Sequence, residues 1–373
     1  MSSAFATFLS KVIPSNDIFA SQQKYSVEEL QAMTIFQRLA VNDWRLEFIT
    51  LSFITVFVFL FAIGDWYNKR LVVSYLESLR GAFEKNFYQY GVSPKDLYIK
   101  DNSESYASYA TGRNNIAKVN ITIKLKPRHN LFVWVLETVL SFFASSVQLP
   151  EDKVDFVITP ARSAEYDNFI AAIVSKLGMN EHRKFNYFLS LTKTSDSTNL
   201  PESFVYMSEA NEFQEKITTP ELKKALTLQA ASFIKYIAVT DQPVEKPESI
   251  QEFLPQRKII FSTSLVSNSA QLQQIGQILD ALFSVVDKLA SKEISFKPEA
   301  LKKVVKTRES EISKIQKIRE EIKQEELAAE KAKLRREERD KLRTLSREEQ
   351  IKAEKKAQEK KQRKQLKKNK VRM

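Results

Sequence analysis

Between Phe48 and Gly64 the chain runs for 17 residues, FITLSFITVFVFLFAIG, without a charged side chain. Phe48, Ile49, Leu51, Phe53, Ile54, Val56, Phe57, Phe59, Leu60, Phe61 and Ile63 supply the apolar bulk and fall on every face of a helix. At 1.5 Å per residue such a helix is near the lower limit for a hydrocarbon core of roughly 30 Å. Trp44 stands on one side, and Trp66 and Tyr67 on the other, as interfacial anchors would. Glu47 and Asp65 mark where charge resumes, and Arg45, Lys69 and Arg70 are placed to reach headgroups. A buried core helix would keep a polar stripe or lack the bracketing aromatics. We therefore read residues 46–67 as a transmembrane anchor.

The sequence before it has no positive charge ahead of Lys11 and no long apolar run, so a cleaved leader is not expected. Residues 1–45 then form a short luminal arm, and the anchor is an uncleaved signal anchor. Flanking charge favours a cytosolic C-terminus only slightly. Two other features favour it more: the chain has no cysteine, and a long basic tail follows the body. A sequon at Asn120-Ile-Thr122 would be open to glycosylation on the luminal side. The expected topology is single-pass, N-terminus luminal, C-terminal domain cytosolic.

Composition leaves little room for an enzyme. Without cysteine there is no disulfide framework, thiolate zinc site or cysteine nucleophile. The two histidines, His129 and His182, are too far apart for a helical metal pair, and six scattered glycines write neither a dinucleotide fingerprint nor a phosphate loop. Each histidine sits in a basic polar segment and reads as a surface or helix-entry residue. No catalytic residue, metal ligand or cofactor is expected.

Residues 71–298 read as a cytosolic α+β domain. Leu76, Leu79, Phe83, Phe87 and Tyr90 recur at helical spacing, continuing the anchor helix to a stop at Gly91. Ser105–Thr111 and Ile116–Leu125 alternate as strands, as does Lys153–Thr159, and Ser203–Met207 and Lys258–Leu265 also read as strands. Helices are expected over Arg162–Leu177, closed by Gly178, over Glu209–Ile217, over Glu221–Tyr236 after a Thr219-Pro220 cap, and over Gln271–Ala290. Leu131–Ser146 is apolar but holds Glu137 and is only 16 residues long. It reads as an amphipathic or buried helix, with a re-entrant or interfacial placement as the other option.

From Glu299 to Met373 there is no glycine, proline or aromatic residue. This tail holds 27 basic and 15 acidic residues and so carries the whole net charge of +12, leaving the rest of the chain neutral. Its residues are good helix formers with opposite charges at helical spacing. The apolar seam of Ile312, Ile315, Ile318 and Ile322 thins afterwards, too early for a coiled-coil dimer. A solvated helix docked by its first part is expected over residues 299–373. Its end concentrates Lys352, Lys355, Lys356, Lys360, Lys361, Arg363, Lys364, Lys367, Lys368, Lys370 and Arg372 against two acids. Such a run attracts polyphosphate or anionic lipid without reading bases. An rRNA surface fits a long helix presented beside a membrane; no DNA-reading module is present.

Anchor, α+β body and charged tail follow one another in an order that resembles the calumin family of endoplasmic reticulum membrane proteins. The local marks are ESLRGAFEKNF at Glu77–Phe87, Tyr109-Ala-Thr-Gly-Arg113, LPESFVYMSE at Leu200–Glu209, RKIIFSTSL at Arg257–Leu265 and the basic ending Lys360–Met373. The resemblance covers roughly Trp44 to the C-terminus. It implies a non-enzymatic role: binding the large ribosomal subunit through rRNA and the Sec61 channel, and pairing with the small membrane protein Asterix in the PAT complex. That complex is an intramembrane chaperone assisting multipass membrane proteins. Animal members carry a long acidic luminal region to which calcium binding is attributed. Here Met1–Arg45 holds only four acids against four bases, so a calcium role is not carried over. The competing reading is a membrane-anchored scaffold whose tail binds anionic lipid.

Overall fold

The computed structural model describes residues 26–41, 44–93, 95–144, 147–196, 199–344, 359 and 362–363. Two short helices, α1 (Val27–Ala32) and α2 (Ile35–Val41), precede a 42-residue helix, α3 (Arg45–Asn86). Ser26 and Glu29 form a reciprocal capping box at the start of α1. α3 runs without interruption from the apolar stretch into the body, about 63 Å at 1.5 Å per residue. Its second half buries Val72, Leu76, Leu79 and Phe83, spaced three or four apart. The helix stops at Asn86, not at Gly91. Phe87 turns extended while its N–H still reaches the Phe83 carbonyl at 2.8 Å. Sheet pairing then takes the chain, and Gly91, at φ +97, serves the turn that follows.

The body is one antiparallel sheet covered by helices. Its strands are β1 (Gln89–Tyr90), β2 (Ile99–Lys100), β3 (Ser105–Thr111), β4 (Ile116–Lys124), β5 (Lys153–Pro160), β6 (Ala171–Ser175), β7 (Lys193–Ser195), β8 (Phe204–Ser208), β9 (Ile234–Thr240) and β10 (Lys258–Ser264). They lie in the order β1-β3-β4-β5-β10-β9-β6-β8-β7, with β2 sharing the β3 edge. A register shift between Ile116 and Lys118 lets Ile116 and Val119 both face the core despite their odd spacing.

Two expected helices are corrected. Residues 171–175 form β6, paired with β8 and β9, and residues 234–240 form β9, between β6 and β10. Both strands are covered on both faces, so their sequences are near-continuous apolar runs without the alternation that marks a half-exposed strand. Gly178, at φ +74, opens helix α5 (Met179–Phe185) and closes nothing. The Thr219-Pro220 cap holds, the Thr219 hydroxyl accepting from the Leu222 N–H, but its helix ends at Ala225.

One face of the sheet packs against the second half of α3 and against α9 (Ser269–Ala290). Phe83 stacks on Tyr90 at 4.8 Å and meets Phe283 and Phe156. The other face is covered over β6, β8 and β9 by a short helix, α6 (Tyr187–Ser190), through Phe188 and Leu189. His182 on α5 meets Tyr236 edge-on; burial, with Lys235 and Lys153 nearby, lowers its pKa to about 4.

The last helix, α10 (Pro298–Thr344), lies on the body through Ala300, Val304 and Ile315, and leaves it beyond, where Ile318 and Ile322 are exposed. Arg308 fixes this docking. Its guanidinium reaches Glu209 at 2.7 Å and Asp241 at 2.7 Å, both carboxylates almost fully buried, at 3% and 2% exposure. Burial alone would lower the Arg308 pKa, but the hydrogen bonds it donates to both carboxylates, and their negative charge, hold it above its ordinary value. One turn on, Glu311 accepts a 3.0 Å bond from the Tyr187 hydroxyl. Arg308→Met leaves two buried acids without their cation, a loss of about 3–5 kcal/mol. We expect the variant to release α10 to limited proteolysis while the sheet still melts cooperatively. Adding Glu209→Gln and Asp241→Asn should recover part of the docking.

Candidate membrane-facing site

α3 leaves its apolar stretch against a loop that belongs to the sheet. Gly64 is buried there: a Cβ on it would meet the Arg128 carbonyl oxygen at 2.3 Å and the His129 nitrogen at 2.5 Å. One turn later Asn68, fully buried, donates to the Ser103 carbonyl at 2.9 Å and the Lys126 carbonyl at 3.2 Å, and accepts from Arg128 at 3.1 Å. Arg128 grips Asp152 through two bonds, 2.8 and 2.6 Å, and the Lys126 N–H adds a third at 3.0 Å. Burial pushes the Asp152 carboxyl up, but these donors outweigh it and hold its pKa below the ordinary value. Asp65 pairs with Lys100 on the neighbouring strand at 2.5 Å. The helix is thus bolted to the sheet at the turn where its apolar stretch ends.

The same loop starts α4 (Leu131–Phe143), capped by Asn130, whose side chain accepts from the Val133 N–H. His129, just before it, meets the Phe61 ring edge-on at 5.1 Å. α4 therefore begins beside the final turn of the apolar stretch. Not one of its residues is buried, which removes the buried-helix option. Phe132, Phe142 and Phe143 are about four-fifths exposed, at 81%, 79% and 85%, and Val135, Leu136 and Val139 are open as well. At 13 residues it spans about 20 Å, too short to cross a bilayer. Thr138 donates its hydroxyl to the Trp134 carbonyl and Ser141 its own to the Thr138 carbonyl, while Glu137 is the one charged side chain on the helix.

The eleven apolar residues named above are exposed on α3, up to 73% at Phe53, as are Val58, Trp44, Trp66 and Tyr67. The Thr50 and Thr55 hydroxyls donate to the helix's own carbonyls. Arg128 lies 5.5 Å over the Tyr67 ring and Arg70 5.5 Å over Trp66. Among the described residues this is the one helix long and apolar enough to cross a membrane. Of the tail residues singled out above, Arg363 is described, helical and exposed. Lys352, Lys355, Lys356, Lys360, Lys361, Lys364, Lys367, Lys368, Lys370 and Arg372 lie outside the described residues. No group of acids and histidines among the described residues could hold a metal ion.

Sequence reasoning passed over Gly64, Asn68, Arg128, Asp152 and Arg308. Each works through a partner distant in the chain, 60 residues for Asn68 and Arg128 and 99 for Glu209 and Arg308. An asparagine four residues beyond a helical glycine, with no local partner, was the faint signal for the first pair.

The family described as PAT complex subunit CCDC47 matches this chain over residues 43–364. An endoplasmic reticulum membrane protein of Saccharomyces cerevisiae, UPF0674 protein YNR021W, is 28% identical over 345 residues, covering 84% of this chain and 85% of its own length. A Schizosaccharomyces pombe counterpart, UPF0674 endoplasmic reticulum membrane protein C2G5.01, is 31% identical over 291 residues, covering 75% of this chain and 77% of its own.

The Gly64 contact can be tested directly. Gly64→Ala forces a methyl into the Arg128 backbone and should cost about 1–3 kcal/mol. Gly81→Ala, on the same helix with nothing within 4 Å of the added carbon, should be neutral or slightly stabilising. Thermal unfolding of the full chain in detergent reads both.

Proposed function

The chain belongs to the PAT complex subunit CCDC47 family, and from that footing we propose that it is a subunit of an intramembrane chaperone that assists multipass membrane proteins. The family is not an enzyme class. In this reading α3 crosses the endoplasmic reticulum membrane once, with the N-terminal arm luminal and the sheet cytosolic. Phe48–Ile63 meet lipid, Trp44, Trp66 and Tyr67 sit at the interfaces, and the partners are the large ribosomal subunit, the Sec61 channel and an Asterix-like small membrane protein.

The observation that carries the reading is α4, a helix with no buried residue and a wide exposed apolar face, fastened beside the last turn of the span. Held there by Gly64 and the Asn68–Arg128–Asp152 network, it offers a second apolar surface within the membrane boundary at a fixed offset from α3. A client helix with polar groups still unsatisfied is costly in lipid until partners arrive, and a rigid surface of this kind can shelter it. The span has no charge of its own to offer. Shielding by this chain therefore falls to α4, with Asterix supplying the rest. A photoreactive residue at Trp134 or Phe142 should crosslink to a stalled nascent membrane helix. The absence of any adduct, with the complex intact, would remove α4 from client contact.

The basic tail is the proposed ribosome contact. Its root is docked on the body, and its described 47-residue helix runs on to Thr344, ahead of the basic cluster in the sequence. Co-sedimentation with large subunits at physiological salt, comparing the full chain with one stopped after Gln350, is the test. Pelleting that is lost on truncation supports Lys352–Arg372 as the rRNA contact. If neither chain pellets, the lipid-tethered scaffold takes first place.

A further inference from the structure

At the opposite end of the apolar stretch, α2 (Ile35–Val41) shows an apolar face that nothing among the described residues covers. Ile35, Phe36 and Leu39 are 74%, 83% and 45% exposed, at positions that share one side of a helix, while Gln37 falls on the other side. Every side chain of α2 among the described residues is exposed. The helix is nonetheless capped at both ends. At its start the Gln37 side chain accepts from the Thr34 N–H at 3.0 Å. At its end the Trp44 indole N–H donates to the Leu39 carbonyl at 2.7 Å, one of the last-turn carbonyls that a helix leaves without an internal partner.

Two physical points narrow what the face meets. At seven residues α2 is well below the ~12–15 that an isolated helix needs to hold in water, so its caps alone leave it short of stability until the apolar side is covered. Its place supplies the cover. Trp44 stands four residues before Phe48, about 6 Å along α3, and the 17 residues of the apolar stretch rise roughly 25 Å, less than a hydrocarbon core of roughly 30 Å. Trp44 is thereby held at the boundary between hydrocarbon and headgroups, where tryptophan is favoured. The bond to Leu39 brings the last turn of α2 to the same depth, with Phe36 one turn away. That is the level at which an amphipathic helix lies in the membrane plane with its apolar side sunk among the upper acyl chains. The family match begins at residue 43, beyond α2, so the family reading assigns this face nothing.

We propose that α2 is an interfacial helix: Ile35, Phe36 and Leu39 dip into the phospholipid leaflet on the side of the membrane opposite the sheet, and Trp44 tethers them to the span. The inference goes beyond the chaperone role and rests on α3 crossing the bilayer. Its consequence is mechanical. The Gly64 joint fixes α3 to the body at one boundary and α2 holds it at the other, so the span resists sliding along the membrane normal.

The chain has no cysteine, so single thiols can be introduced without background. Full-length Phe36→Cys, Leu39→Cys, Gln37→Cys and Phe53→Cys, all at exposed positions, are each labelled with nitrobenzoxadiazole. They are reconstituted into phosphatidylcholine vesicles containing lipids spin-labelled either high or low on the acyl chain. Labels at Phe36 and Leu39 should be quenched by the high spin label at least twofold more than the label at Gln37, and the mid-span label at Phe53 most by the low one. Equal quenching at Phe36 and Gln37, or none at either while Phe53 is quenched, overturns the interfacial face. Protection of Phe36 from aqueous iodide without quenching by either lipid puts a second copy of the chain there and overturns lipid as the occupant. If Phe53 also escapes the low spin label, the span itself fails and the inference falls with it, a result distinct from loss at Phe36 alone. Trp44→Phe keeps a ring but removes the N–H. It should bring quenching at Phe36 down toward the Gln37 value, and unchanged quenching overturns the tether.

Discussion

One helix has to satisfy two solvents. The first half of α3 presents apolar side chains all round, which suits only lipid. The second half presents a single stripe, which suits only a protein core. Because no break separates the halves, whatever orients the sheet orients the span. The hinge that such a junction would normally allow is removed at Gly64, where backbone meets backbone, and at Asn68, whose amide is consumed on both sides. Everything the body carries is thereby placed at a fixed height and rotation relative to the apolar stretch.

That rigidity gives α4 its meaning. A 13-residue apolar helix hanging from a flexible loop would collapse onto the nearest groove. Here its first residue follows a segment pinned by Arg128 to Asp152 and by the Gly64 contact to α3. It stays uncovered because its anchor cannot swing to bury it. At the far end of the body the same device recurs with different residues. Arg308 draws two buried acids from separate segments, Glu209 and Asp241, onto the root of α10, so the long charged helix leaves the sheet in a set direction. In both places a single arginine converts an otherwise loose connection into a defined one, at the cost of burying charge that only its partners make tolerable.

The secondary structure was legible where one face of an element meets water. β3, β4 and β5 alternate, the second half of α3 and α9 show clear stripes, and the tail's composition announced a long charged helix with a docked root. β6 and β9 were misread because these central strands have almost no wet face: Ala171–Ser175 and, apart from Lys235, Ile234–Thr240 are buried, and the period-two signal vanishes when apolar residues fill both faces. The membrane-facing site was half legible. Its apolar residues are contiguous in the chain, but the polar side chains that fix them are not, and a pair 60 residues apart leaves no mark on a local pattern.

The sequence alone determined that the chain carries one stretch suited to a bilayer, a neutral mixed body and a basic helical tail. Each of these follows from local composition and period, since transfer free energy and helix propensity act residue by residue. Only the tertiary structure decided that α4 stands exposed beside the span and does not line the core. It also decided that Asn68, Arg128 and Asp152 form the joint. Those depend on which distant segments meet, and contacts between remote residues are set by the packing of the whole sheet and its helices, which no window of sequence contains.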